Sequence, residues 1–323
     1  MNSIPRVPVI MPVYNAEPFV GQALKSILGQ TFRNFELIIV DDGSGDRSRE
    51  IGRSFHDERI VWIENGRNLG LTASLNVGLK KARGEFIARQ DADDLSLPER
   101  LEKQVAFLDS NPTTGLVGCA FSVINEVGNT LTDIHTVVDP LEISALLLQR
   151  NPIAHGTTVF RRACLEKTGL YREEFRYAQD YDLWLRIAEI AKVANIPGLL
   201  YQWRITRGSI TLRKKRLQDQ FSRLAAELAL ERRTNGKDRL QLAGPDNRCR
   251  EDLIPRSRPN RRKEADDYRF WSWLAMESGD RCLAVTLILK ALTADPLRPA
   301  NWRTAARNLI GLFQGSPGSA KKR

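Results

Sequence analysis

The chain has few of the residues that staple a fold or gather metal. Its 323 residues include four cysteines and three histidines. Cys119, Cys164, Cys249 and Cys282 are widely spaced and form no C-x-x-C pair, which argues against a zinc ribbon or a disulfide framework and fits a reducing cytosol. They are expected to be small core residues rather than reactive thiols. No apolar run reaches the roughly 18–20 residues of a membrane-spanning helix. The best candidate, CLAVTLILKALTA from Cys282, is short and broken by Lys290. The N-terminus, MNSIPRVPVIMPVYN, is interrupted by Pro5, Pro8 and Pro12 and is not a signal-peptide pattern. A cytoplasmic protein is therefore expected. Excess negative charge is missing from the C-terminal third. The net charge is −2 over residues 1–211 and +12 over 212–323, together the chain's +10. Such a region suits nucleic acid, an anionic membrane surface or plain solvation.

What is present is apolar and periodic. Val7–Met11, Phe35–Val40, Ile60–Ile63 and Glu85–Ala88 are short apolar runs expected as buried strands. Between them, residues 19–28 and 72–82 have helical apolar spacing. Two further strands are expected at 115–124 and 156–160. Strand–helix alternation implies crossover connections and a mostly parallel α/β sheet with flanking helices. After about residue 211 the pattern becomes helical and basic. The expected division is a domain at 1–211 and a basic, mostly helical region at 212–323, with a polar linker around 233–267. The tail SPGSAKKR is expected to be disordered.

Polar clusters fall where these strands end. PVYNAE follows the first, Asp41 and Asp42 the second, and Asp91, Asp93 and Asp94 the fourth. Ligands of parallel α/β sheets bind at carboxyl strand ends. Three adjacent carboxylates repel one another unless a positive charge intervenes, and Mg²⁺ or Mn²⁺ takes such oxygens. Residues two apart in an extended segment point the same way, so Asp91 and Asp93 could share a site. The plainer role for Asp94 or Ser96 is to cap the helix that follows Pro98.

VIMPVYN, VDDGSGD, NLGLTASLNVGLKKARGEFIARQDADD and AQDYDLWLR, in this order, resemble a family 2 glycosyltransferase of the GT-A fold over residues 5–211. The resemblance implies a GT-A-like, Rossmann-type mixed sheet. It also implies a nucleotide-diphosphate sugar donor, UDP- or dTDP-linked, and a glycan or lipid-linked acceptor. Pro12, Tyr14 and Glu17 would line the nucleoside pocket. Asp42, with Asp41 beside it, would accept the pyrimidine N–H. Asn68 and Gly70 would close over the donor. Asp91-Ala92-Asp93 matches the D-x-D motif, with Asp93 on Mg²⁺ or Mn²⁺ and Asp91 on ribose or sugar. Transfer would invert the anomeric centre in one displacement. Asp180 matches the general base, and Asp182 would orient it or cap the helix. Without the upstream motifs, both would simply favour a helix N-terminus.

Some residues stay with plainer roles or depart from the pattern. Trp184 and Leu185 are expected in the core. His155 is expected to be structural, and Arg161 and Arg162 either reach phosphate or lie on the surface. Thr206 stands where the family often has a metal-ligating His, and Arg204 and Arg207 are further candidates for the diphosphate. The Q-x-x-R-W motif of processive synthases is missing, so a non-processive hexosyltransferase is expected. A peripheral place on the cytoplasmic face of a membrane is the further expectation for the basic third. The alternatives are an inactive nucleotide-sugar-binding scaffold, which should have lost Asp93 or Asp180, and a basic nucleic-acid-binding protein, for which no reader motif is present.

Overall fold

The structure, a computed structural model, describes residues 4–206, 214–243 and 260–313. Strand β1 (Val7–Val13) is buried at every position. It runs parallel to β2 (Phe35–Asp41) on one side and β4 (Phe86–Arg89) on the other, and β3 (Ile60–Glu64) lies outside β2. Alternating side chains feed two cores. Ile10, Ile38, Val40 and Ile87 meet Leu75 and Leu79 of helix α3 (Leu71–Lys81) on one face. Val7, Val9, Met11, Leu37 and Ile39 meet α1 (Val20–Leu28) and α4 (Arg100–Ser110) on the other. Both faces are covered, so the strands are continuous apolar runs. A short helix α2 (Ser48–Arg53) and strand β5 (Leu95–Ser96) complete this half.

Prolines 8 and 12 sit inside the central strand at little cost. The carbonyls of Arg6 and Ile10 accept from Phe86 and Gln90, so even-numbered residues of β1 face β4. The missing N–H groups of both prolines point the same way, toward a strand that pairs with β1 only at Val9 and Ile10.

The second half adds β6 (Thr114–Ile124), β7 (Thr130–Ile134), α5 (Pro140–Leu146), β8 (Val159–Arg161), α6 (Arg162–Thr168), α7 (Gln179–Ala188) and β9 (Lys192–Arg204). The sheet order is β3-β2-β1-β4-β8-β6-β9-β5, with β7 on β6. Strand β8 is antiparallel to both neighbours, β6 and β9 are parallel, and β5 is antiparallel to β9. The sheet is thus mixed α/β, as expected. The strand expected at 156–160 begins later, after a single 3₁₀ turn at His155–Thr157.

After β9 the chain forms helices α8 (Lys215–Asn235), α9 (Arg239–Ala243), α10 (Arg261–Glu277), α11 (Arg281–Ala294) and α12 (Pro299–Phe313). The chain forms two compact units. One comprises residues 1–124, 132–204 and 217–255, the other 125–131, 205–216 and 256–323. Phe221, Leu224 and Leu228 of α8 join the core of Phe175, Tyr181 and Trp184, so this helix belongs with the sheet. Part of the expected linker is helical, namely the end of α8, α9 and the start of α10; residues 244–259 and the tail lie outside the described residues. Cys119 and Cys164 are buried as expected, Cys282 is exposed, and Cys249 lies outside the described residues. Among the described residues, no helix is long and apolar enough to cross a membrane.

Candidate active site

The three carboxylates after β4 do not converge; each meets different partners. Asp91 pairs with the buried guanidinium of Arg89, Nη2 to Oδ1 at 2.6 Å. Asp94 is buried and accepts from the Tyr201 hydroxyl at 2.8 Å and the Arg204 N–H at 2.7 Å. Burial, then Asp93 and Asp91, push the Asp94 carboxyl well above the usual range. Asp93 is half-buried. Burial and the charge of Asp91 raise its carboxyl to about 6, against the pull of Arg89 and Arg204. Among the described residues, no group of three potential ligands gathers around one point. A cation here would therefore take Asp93 as its protein carboxylate and complete its shell from donor oxygens and water, a pattern Mg²⁺ tolerates.

The floor under these acids is built from buried arginines. Arg89 also donates to the Gln90 carbonyl. Arg100 donates to Ser96, Gln104 and the carbonyls of Arg89 and Thr158. Arg204 holds the Asp93 carbonyl at 2.7 Å and Gln22 at 2.9 Å, and lies over the Phe19 ring. These contacts tie β9 to the loop after β4. Gly156 approaches the same loop. A Cβ there would meet the Tyr201 hydroxyl at 2.3 Å and Asp91 Oδ2 at 2.9 Å. Only glycine admits that approach.

The nucleoside-side candidates sit at the ends of β1 and β2. Pro12 is buried in β1 and Tyr14 is exposed beyond it. Glu17 accepts from the Arg47 N–H at 3.2 Å. Asp41 holds Arg49 at 2.7 Å. Asp42 takes the N–H groups of Leu69 and Gly70, both at 2.9 Å, and Asn65 at 2.8 Å. Asp42 thus folds the loop of Asn68 and Gly70 onto β2, and Gly70 permits this with a φ of +91°. Asn68 itself is exposed.

Asp180 begins α7. Its carboxylate accepts from Asn151 at 2.9 Å. Burial raises it to about 6, with Asp91 adding to the shift. The residue before Gln179, Ala178, has a left-handed φ of +54°, a conformation that costs a non-glycine residue about 1 kcal/mol or more. The chain holds a strained turn where it presents this acid.

Asp182 does not join it. It is fully buried, pairs with Arg186 at 2.7 Å and faces Arg172 at 3.4 Å. Arg172 also holds Asp238 at 2.8 Å, and Asp238 holds Arg232 of α8 at 2.5 Å. A buried ionic chain thus runs from the Asp180 helix to α8. Asp238→Ala should lower unfolding stability by about 3 kcal/mol, because two poorly solvated arginines lose a shared carboxylate. Denaturant melts check this. The figure lies at the low end of such effects because Arg172 keeps Asp182 and Arg232 keeps Glu189.

His155 and the paired arginines are structural. His155 Nε2 lies 2.9 Å from the Tyr171 hydroxyl, and its ring packs edge-on to Trp184. Burial, then Arg89, lowers its pKa well below the usual range, so it stays neutral. Trp184 and Leu185 are core, as expected. Arg161 and Arg162 are spent on backbone carbonyls. Thr206 is half-buried, and Arg207 lies outside the described residues. Arg89, Tyr201 and Asn151 are members of the site that the sequence reading did not name. The signal for Arg89 was an arginine at the end of an apolar strand, two residues before the first of the acids.

This sheet is that of the GT-A glycosyltransferases. TarS 1–349 of S. aureus, solved with UDP-GlcNAc, matches with a TM-score of 0.55 at 16% identity, over 94% of this chain and 79% of that one. The mannosyltransferase PcManGT of Pyrobaculum calidifontis, solved with GDP-Man and Mn²⁺, matches with a TM-score of 0.56 at 22% identity, over 97% and 87%. At such identities these likenesses concern the fold. The sequence goes further, since the profile of Glycosyl transferase family 2 matches residues 9–169. EpsE of Bacillus subtilis (strain 168), a glycosyltransferase by name, is 40% identical over 211 residues, 63% of this chain and 74% of its own. The amylovoran biosynthesis glycosyltransferase AmsE of Erwinia amylovora is 32% identical over 213 residues, 64% and 79%. The chain belongs to glycosyltransferase family 2.

Proposed function

We propose that this glycosyltransferase moves one hexose from a nucleotide-diphosphate donor to a hydroxyl of a glycan or lipid-linked acceptor, with inversion and without processive elongation. The observation that carries the reading is the placement of Asp180. It is a half-buried carboxylate at a helix start, raised to about 6 and within electrostatic reach of Asp91. A base of that pKa is charged at neutral pH yet accepts a proton readily. Asp182 would position it by anchoring α7 through Arg186 and Arg172. A bound Mg²⁺ or Mn²⁺ at Asp93 would neutralise the leaving diphosphate. Asp91, oriented by Arg89, would accept a ribose or sugar hydroxyl. Asp41, Asp42, Pro12, Tyr14 and Glu17 would frame the base, with Asn68 and Gly70 closing the donor loop. AmsE, named for amylovoran biosynthesis, supports polysaccharide biosynthesis for the cell envelope as the setting.

The test is donor hydrolysis across UDP-, dTDP- and GDP-sugars, with Mg²⁺, Mn²⁺ or chelator. Turnover of a UDP- or dTDP-sugar that chelation abolishes is expected. Undiminished turnover in chelator would remove the metal from the reading. No turnover of any donor, with tight nucleotide-sugar binding, would instead favour an inactive scaffold.

A further inference from the structure

Helix α12 leaves three large apolar side chains exposed over residues 301–310. The face it turns to its neighbours is polar or small: Asn301, Ala305 and Asn308 are buried. Asn308 Nδ2 donates to Ser272 Oγ of α10 at 2.7 Å, and Ser272 in turn donates to the Ala284 carbonyl of α11. Asn301 Nδ2 donates to the carbonyls of Ala291 and Asp295. Outside that face lie Trp302, Leu309 and Ile310, each more than half exposed. Trp302 Nε1 donates to the Pro296 carbonyl at 2.7 Å, and the next residue, Leu297, is 90% exposed. Arg303 and Arg307 are exposed along one edge of this stripe. A packed helix ordinarily buries its apolar residues and exposes its asparagines; over residues 301–310 this one buries two asparagines and leaves a tryptophan, a leucine and an isoleucine exposed.

We propose that this exposed side of α12 docks on an anionic lipid surface. Its pattern is that of an interfacial helix, apolar side chains with a tryptophan on one side and arginines flanking them. Charge selects the occupant. Residues 296–323 contain Arg298, Arg303, Arg307, Lys321, Lys322 and Arg323 and no Asp or Glu. A second copy of this chain would bring the same positive rim to the contact and be repelled. An anionic membrane offers apolar depth and opposite charge together. The inference stands on this helix alone, so it survives or fails independently of the transfer reaction.

The test is co-sedimentation of the full chain with phosphatidylcholine vesicles, with and without phosphatidylglycerol. Binding is expected only with the anionic lipid, and it should fall as salt rises. L309D/I310D should weaken partitioning at least ~10-fold, since two apolar side chains no longer enter the interface. R303Q/R307Q, altered only at exposed positions, should weaken it roughly thirtyfold at low salt. Far-UV circular dichroism and thermal melts of each variant report that the fold is kept. Equal binding to neutral vesicles, parent-like binding by both variants, or no binding by the parent would each overturn the proposal. So would concentration-dependent self-association that L309D/I310D abolishes without any effect on vesicles.

Discussion

Replacing Asp180 by Asn should leave donor binding intact and lower transfer about 10²–10⁴-fold, the usual contribution of a positioned base. The amide keeps the shape and the Asn151 contact but cannot take the acceptor proton. The parent's kcat/KM should fall as pH drops through about 6, where the Asp180 carboxylate protonates. With a saturating divalent cation holding Asp93 charged, the variant should lack that limb. The sign for stability is opposite to that for rate. Because the folded state raises this carboxyl, the group's contribution to stability falls as pH rises from its ordinary value to about 6. Above that range the buried charge is a cost, and Asn removes it. The variant should therefore melt no lower than the parent at pH 7. Lost activity with an unchanged or raised Tm assigns the residue to chemistry. Near-parent turnover with the same acid limb would place the base elsewhere.

Asp93→Ala should be the second large loss, about a thousandfold in transfer, the equivalent of roughly 4 kcal/mol of transition-state charge stabilisation. Its signature differs from that of Asp180. Divalent-dependent donor binding should disappear with the turnover, measured by titrating a nucleotide-sugar with and without Mn²⁺. The neighbouring acids cannot substitute, since Asp91 is held by Arg89 and Asp94 by Tyr201 and the Arg204 N–H. Asp94→Asn should thus fail differently, by loosening the β5–β9 end of the sheet rather than by losing metal dependence. If Asp93→Ala retained metal-dependent donor binding, the cation would have to be held by some other group.

The parts of the fold legible in the sequence were those where local pattern and tertiary burial agree. Strands β1 to β4 are continuous apolar runs because both faces are covered, and each ends in turn formers. Strand β9 was not legible. Pro197 and Gly198 interrupt it, and its pairing with β6 shifts register around Cys119 and Ala120. Helix α12 was hidden by Pro296 and Pro299 and by asparagines at two of its buried positions, Asn301 and Asn308. The acids at the strand ends could be found because charge beside a buried strand needs a reason. The arginines that orient them could not. Arg100 has helical spacing like any surface residue, yet it is fully buried and donates to five acceptors, on Arg89, Gln90, Ser96, Gln104 and Thr158. Such contacts join residues up to 58 positions apart, beyond the range of any window. The amphipathic pattern of α8 was readable, but not the surface it covers.

The sheet order β4-β8-β6 has a consequence for a nascent chain. Strand β4 gains its second neighbour only when Val159–Arg161 has been made, some seventy residues after its own end. At ribosomal speeds of about 5–20 residues per second, the edge of the strand that leads into the acidic loop stays open for roughly 4–14 s. Strand β6 is available earlier but cannot close that edge, because β8 must lie between them. An unpaired apolar strand edge is a template for another chain. On crowded polysomes, Phe86–Arg89 is where two unfinished copies would meet first. A chaperone that shields the emerging chain until residue 161 has cleared the exit tunnel would therefore improve soluble yield more than one acting on the completed protein.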